Sequence, residues 1–82
     1  MKINDNIQYL EGQWAASSLR RHIEISEYKT LENAIETKNK LIKHFEENFG
    51  FSRTMENIDS SYAYNLGMYD ALMKIKKEEE HE

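Results

Sequence analysis

The sequence predicts an all-α protein, a compact three-helix bundle, and three observations lead there. The chain contains no proline, the residue that most reliably interrupts a helix. Glu, Lys, Leu, Ile and Ala recur along its length, a composition that favours helices joined by short turns. Residues 31–49 then set apolar side chains at 3.6-residue spacing while nearly everything else there is polar. Eighty-two residues hold one such bundle and leave no room for a second core. The expected domain is 1–77, followed by an acidic, frayed tail at 78–82.

The first helix is expected over about 4–25, with Asn4 or Asp5 as its cap. One stripe, assigned to the core, holds Ile3, Ile7, Leu10, Trp14, Ser17, Ser18 and Ile25, interrupted by Arg21. A second lies opposite, made of Tyr9, Gly12, Ala16, Leu19 and Ile23. The stretch HIEIS (22–26) alternates like a short strand, but an isolated strand has nothing to pair with, so helix is retained. The second helix, 30–49, is the plainest. Thr30 can cap it, and Leu31, Ala34, Ile35, Lys38, Leu41, Ile42, Phe45 and Phe49 share a face. Gly50 stands where a left-handed C-cap is wanted. Lys38, inside that stripe, is read as a stem laid on the core with its amine reaching water, the less favoured reading being a buried charge paired with a carboxylate to fix helix register.

The third helix is expected over 52–77 with Ser52 as cap. Met55, Ile58, Tyr62, Leu66, Tyr69 and Met73 form its core stripe; Tyr64, Met68, Ala71 and Ile75 lie half a turn away. A helix apolar on two sides is buried on two sides. Gly67 costs about 1 kcal/mol against alanine in a helix interior, yet it stands between Ala63 and Ala71 in a row of small residues. Such a row lets another helix come close, for steric reasons that hold in any solvent. Gly12 and Ala16 make a shorter row on the second stripe of the first helix. These faces are expected to meet, within one chain or between two. Because the first stripes and the second helix suffice for a core, the second stripes are assigned to a homodimer interface. Its expected residues are Tyr9, Gly12, Ala16, Leu19, Ile23, Ala63, Tyr64, Gly67, Met68, Ala71 and Ile75, a surface that a larger protein partner would also suit.

Charge weakens the nucleic-acid and DNA-mimic readings. The net charge is −4, but the last five residues, EEEHE, carry four of the fifteen acids. Residues 1–77 therefore hold eleven acids against eleven bases, and the folded body is neutral. Phosphate-driven binding needs a basic excess. With no cysteine and only three histidines, widely spaced, no metal site or disulfide is expected. No Ser–His–Asp order, HExxH or P-loop occurs; no enzyme activity and no cofactor are expected. His44 with Glu47, and Asp70 with Lys74, read as pairs on solvated helix faces. No run approaches a signal peptide or a membrane span, so the expected location is the cytoplasm.

A helix-turn-helix reading of NFGFSRTMENI (48–58) is the alternative. It would put Gly50 in the turn and use Arg20, Arg21, Arg53 and Asn57 as nucleic-acid contacts. It is not favoured, because the preceding helix is long and the early turns of the proposed recognition helix are not basic. The stretch YNLGMYDALMKI resembles a pattern in small all-α proteins of phages and mobile elements. That resemblance implies a cofactor-free accessory protein that binds and redirects larger machinery. The expected function is therefore a non-enzymatic protein–protein interaction module, an inhibitor, adaptor or regulator, with a virion structural or assembly role as a third reading.

Overall fold

The computed structural model describes the backbone of residues 6–21 and 31–80 and the side chains of 6–17 and 31–78. The protein is an all-α three-helix bundle: α1 is Ile7–Arg21, α2 Leu31–Phe49 and α3 Ser60–Glu80. α3 is the central helix, and both α1 and α2 lie against it, α1 more intimately.

Local chemistry sets the ends. Asn6 caps α1, its side-chain oxygen accepting the amides of Gln8 (2.9 Å) and Tyr9 (3.2 Å), which would otherwise lack partners in the first turn. The expected caps Asn4 and Asp5 lie outside the described residues, as do Thr30 and the ambiguous 22–26. α2 stops at Gly50, whose φ of 69° is the left-handed conformation that ends helices and favours glycine. Its amide closes the last turn on the Glu46 carbonyl, 3.1 Å away.

The third helix departs from expectation at both ends. It begins at Ser60, and residues 50–59 form an irregular connector instead of its first turns. Asp59 supplies the cap: its carboxylate accepts the Tyr62 amide at 3.1 Å, leaving Ser52 to a hydroxyl contact with Thr54. An aspartate at this position also meets the positive end of the helix dipole, which Ser52 cannot match. α3 then runs past Lys77 to Glu80, so the acidic tail begins as helix.

The core runs along α3 in two clusters. Tyr62, Ala63 and Leu66 meet Tyr9 of α1 and Ile42 of α2, with Phe45, Phe51, Ile58 and Tyr69 packed around them. Further along, Met68 and Leu72 meet Ala16 and Ala34, flanked by Leu31, Ile35, Tyr64 and Ala71. Leu72 is fully buried, although neither stripe read from the sequence included it. Phe45, Phe51 and Tyr62 interlock, with ring centroids 5.6–6.1 Å apart, distances suited to aromatic pairs. This cluster fastens the connector to both α2 and α3.

Tyr62 has no exposed surface, and its hydroxyl donates to Glu46 Oε2 at 2.8 Å. Burial raises its pKa and the bond to Glu46 raises it further. Tyr62→Phe keeps the ring and removes that one bond, at a cost of about 1 kcal/mol. The expected result is a thermal midpoint lower by about 4–8 °C, read by circular dichroism; an unchanged midpoint would show that water replaces the bond without loss.

Candidate interaction surface

The α1–α3 crossing decides which face of α1 remains available. Gly12 faces the α3 backbone: a Cβ there would strike the Tyr64 carbonyl oxygen and lie 3.0 Å from the Met68 nitrogen. Gly67 faces the α1 backbone in the same manner, where a Cβ would strike the Tyr9 carbonyl oxygen and lie 2.9 Å from its carbon. Two helices meet here main chain to main chain. Dispersion grows steeply as atoms approach contact, so the small-residue faces pack closest.

The two faces of α1 are consequently exchanged relative to the sequence expectation. Tyr9, Gly12 and Ala16 are buried, whereas Ile7, Leu10, Trp14 and Ser17, assigned to the core, are exposed. Tryptophan cannot occupy a contact that leaves no room for a methyl group. On α3, Ala63, Gly67, Met68 and Ile75 are buried and Tyr64 and Ala71 half-buried. The small-residue rows thus meet inside one chain, and the surface assigned to a homodimer is interior. Leu19 and Ile23, also assigned to it, have side chains outside the described residues.

What α1 leaves outside is an apolar ridge. Ile7 is 66% exposed, Leu10 49% and Trp14 74%. At about 100° per residue the three fall within an arc of roughly 60°. Glu11 stands about 40° beyond Ile7 on one edge, and Ser17 borders the other; both are exposed. Elsewhere Phe49, at 60%, is the one large hydrophobic exposed among the described residues. It is already engaged: its ring stacks on Phe51 at 5.5 Å and takes the His44 ring edge-on at 6.0 Å.

Beneath the ridge, polar side chains lock α1 in place. Asp70 accepts both arms of Arg53, at 2.9 and 2.7 Å, and the Tyr9 hydroxyl at 2.6 Å. Gln13 donates to that hydroxyl at 3.3 Å. One carboxylate therefore joins α3, the connector and α1. Burial alone would raise the Asp70 pKa, but the bonds from Arg53 and Tyr9 outweigh it and hold the carboxyl below its ordinary value. Burial, and next the bond to Asp70, push Tyr9 up to about 12. Arg53's own hydrogen bonds to Asp70 raise the Arg53 pKa. From the sequence Asp70 belonged to the polar side with Lys74; it is instead half-buried and bound to groups seventeen and sixty-one residues away.

The other polar candidates are also engaged. Lys38, half-buried, donates to Asn65 Oδ1 at 3.0 Å, and the amide of Asn65 donates to the Ser61 carbonyl at 2.7 Å. The lysine thus reaches a buried amide rather than only water. His44 lies 3.1 Å from the Asn48 amide, not against Glu47. Arg53 and Asn57, placed by sequence at the start of a recognition helix, are in the connector. The side chains of Arg20 and Arg21 lie outside the described residues. Among the described residues there is no group of three or more metal-ligating side chains, and no helix is long and apolar enough to cross a membrane. The chain matches no protein-family model, no curated protein and no solved structure.

Proposed function

We propose that this protein is a non-enzymatic interaction module that acts by binding another protein stoichiometrically, as an inhibitor, adaptor or regulator. The observation that carries the reading is the α1 ridge, where a tryptophan and two aliphatic side chains stand in water on one helix face. Contiguous exposed apolar surface on a soluble domain marks a contact site, and tryptophan is enriched among residues that dominate binding energy. The titratable groups with shifted pKa values support it too. Tyr9, Arg53, Tyr62 and Asp70 are all joined to structural partners, so their shifts follow from holding the fold together. This is the accessory role that the resemblance of YNLGMYDALMKI implies.

The nucleic-acid alternative has less support. A helix-turn-helix joins its helices by a turn of a few residues, whereas residues 50–59 separate α2 from α3. Arg53, one of its four expected contacts, has its guanidinium on Asp70.

Size fractionation of extract from cells that make the protein, before and after nuclease treatment, tests the reading. The expected result is a nuclease-resistant complex with another protein in fixed ratio. Migration as the free 9.8 kDa chain would remove the proposal, and a complex dissolved by nuclease and by modest salt would favour the nucleic-acid alternative.

A further inference from the structure

The interaction reading leaves open what covers the ridge, and resting on that reading, we propose a specific class of occupant. The ridge seats in an apolar groove of a different protein, one whose rim carries lysine or arginine opposite Glu11. It does not pair with a second copy of this chain.

Spacing gives the first reason. Ile7, Leu10 and Trp14 stand at i, i+3 and i+7, the anchor positions by which an amphipathic helix fills a groove. They span about 10 Å along the axis, two turns of one helix. The opposite side of α1 is fixed to α3 through Gly12 and Gly67 and through Tyr9 on Asp70. α1 therefore presents its anchors already folded and correctly turned, which removes the ordering cost that a free peptide bears on binding.

Charge gives the second. Glu11 is exposed and lies at the midpoint of the stretch from Ile7 to Trp14, on one edge. A two-fold axis repeats every contact. Two ridges packed antiparallel about their common midpoint would set both Glu11 carboxylates on the same edge at the same level. Like charges so placed count against that partner. A basic group on another protein's rim turns the same carboxylate into an attractive contact that fixes register. Ser17, on the opposite edge, imposes no such demand.

Area gives the third. The three side chains offer on the order of 400 Å² of apolar surface, against roughly 800 Å² per partner in a standard stable interface. Two convex ridges touch only along their crests and would hide a fraction of that. A groove closes over both flanks of each anchor and adds its rim to the buried surface.

The test begins with a benzophenone side chain placed at position 17, beside the ridge, in cells that make the protein. The cross-linked protein is then identified, purified and titrated with the purified chain, whose own association is followed by sedimentation. The chain alone is expected to sediment as a monomer. Trp14→Ala is expected to weaken binding to the purified cross-linked protein by about 30-fold or more. Glu11→Lys is expected to weaken it by roughly 5- to 30-fold, less so as salt is added. Both residues are exposed, so the melting temperature of each variant should match the unaltered chain. A dimer abolished by Trp14→Ala would overturn the proposal in favour of a second copy. A fixed-ratio complex indifferent to both substitutions would leave the interaction reading standing and the groove proposal refuted. The absence of any cross-linked partner, together with no complex on fractionation, would remove both.

Discussion

Gly67→Ala is expected to destabilise the protein, although alanine is much the better helix former. Propensity alone predicts a gain of about 1 kcal/mol from that change in a helix interior. The crossing with α1 predicts the reverse, because the new methyl group would meet the carbonyl of Tyr9. A flexible side chain could swing aside; a backbone carbonyl cannot move unless the whole of α1 moves. Overpacking of this sort costs about 1–3 kcal/mol and more where the obstacle is rigid, so the methyl group's clash outweighs its propensity. A net loss of about 2 kcal/mol lowers the thermal midpoint by roughly 8–16 °C in a domain of this size. Gly12→Ala should behave likewise, since its obstacle is the Tyr64 carbonyl. Thermal melts followed by circular dichroism decide the matter: a midpoint raised by either alanine would mean that the helices do not cross where described.

Asp70→Ala is expected to be damaging on the same scale, and also to alter the response to pH. The carboxylate accepts three hydrogen bonds. The two from Arg53 count for less than their geometry suggests, because that side chain is 41% exposed and water competes for it. The bond from Tyr9 counts for more, since Tyr9 is buried and its hydroxyl would lose a charged acceptor. The expected loss is about 2–3 kcal/mol in chemical denaturation. Tyr9→Phe in the same chain should recover part of it, because the stranded hydroxyl is then gone, and the pair should be less than additive.

The sign of the pH effect follows from the direction of each shift. The folded pKa of Asp70 is depressed, so its stabilisation is complete above the unfolded value of about 3.9. It fades as pH falls through the lower folded value. Tyr9 is shifted the other way, to about 12, so its stabilisation is complete below about 10 and fades as pH rises toward 12. Denaturation midpoints across pH should therefore decline at both extremes; Asp70→Ala should flatten the acid limb and only part of the alkaline one, because the burial of Tyr9 and Tyr62 remains. Limbs as steep in the variant as in the parent would assign the declines to other groups.

Much of the fold was legible because the signals were local. Helix α2 has one apolar stripe and a terminal glycine, and it begins and ends within a residue of expectation. For α1 and α3 the periodicity found two apolar faces each, and periodicity cannot say which is covered. The answer lay in side-chain size, since Gly12 and Ala16 permit an approach that Trp14 forbids, and the closest contact buries most. The small rows on Gly12 and Gly67 were visible, and their mutual contact was one of two alternatives; the intrachain one is the contact present. What was not legible depended on distant pairing. Asp70 looks like any solvated helix acid beside Lys74 until Tyr9 and Arg53 are brought to it. The connector was missed because Met55 and Ile58 fit the helical period of α3, although both lie in irregular chain, from which Ile58 packs on the core. The exposed ridge was misassigned to the core for the reason that makes it a candidate surface, its apolar character.

The position of α3 at the centre has a consequence for how the chain reaches this state during synthesis. α1 emerges from the ribosome first, yet the helix it docks on is the last of the three. Until residues 60–80 are available, Tyr9, Gly12 and Ala16 have no main chain to lie against, and Ile7, Leu10 and Trp14 remain bare as well. α2, the connector and α3 can meet through near neighbours such as Phe45, Phe51 and Tyr62, and short loops close fastest. The nascent chain therefore carries a helix apolar on both sides until α3 is made, the interval in which a chaperone or an aggregating neighbour would find it.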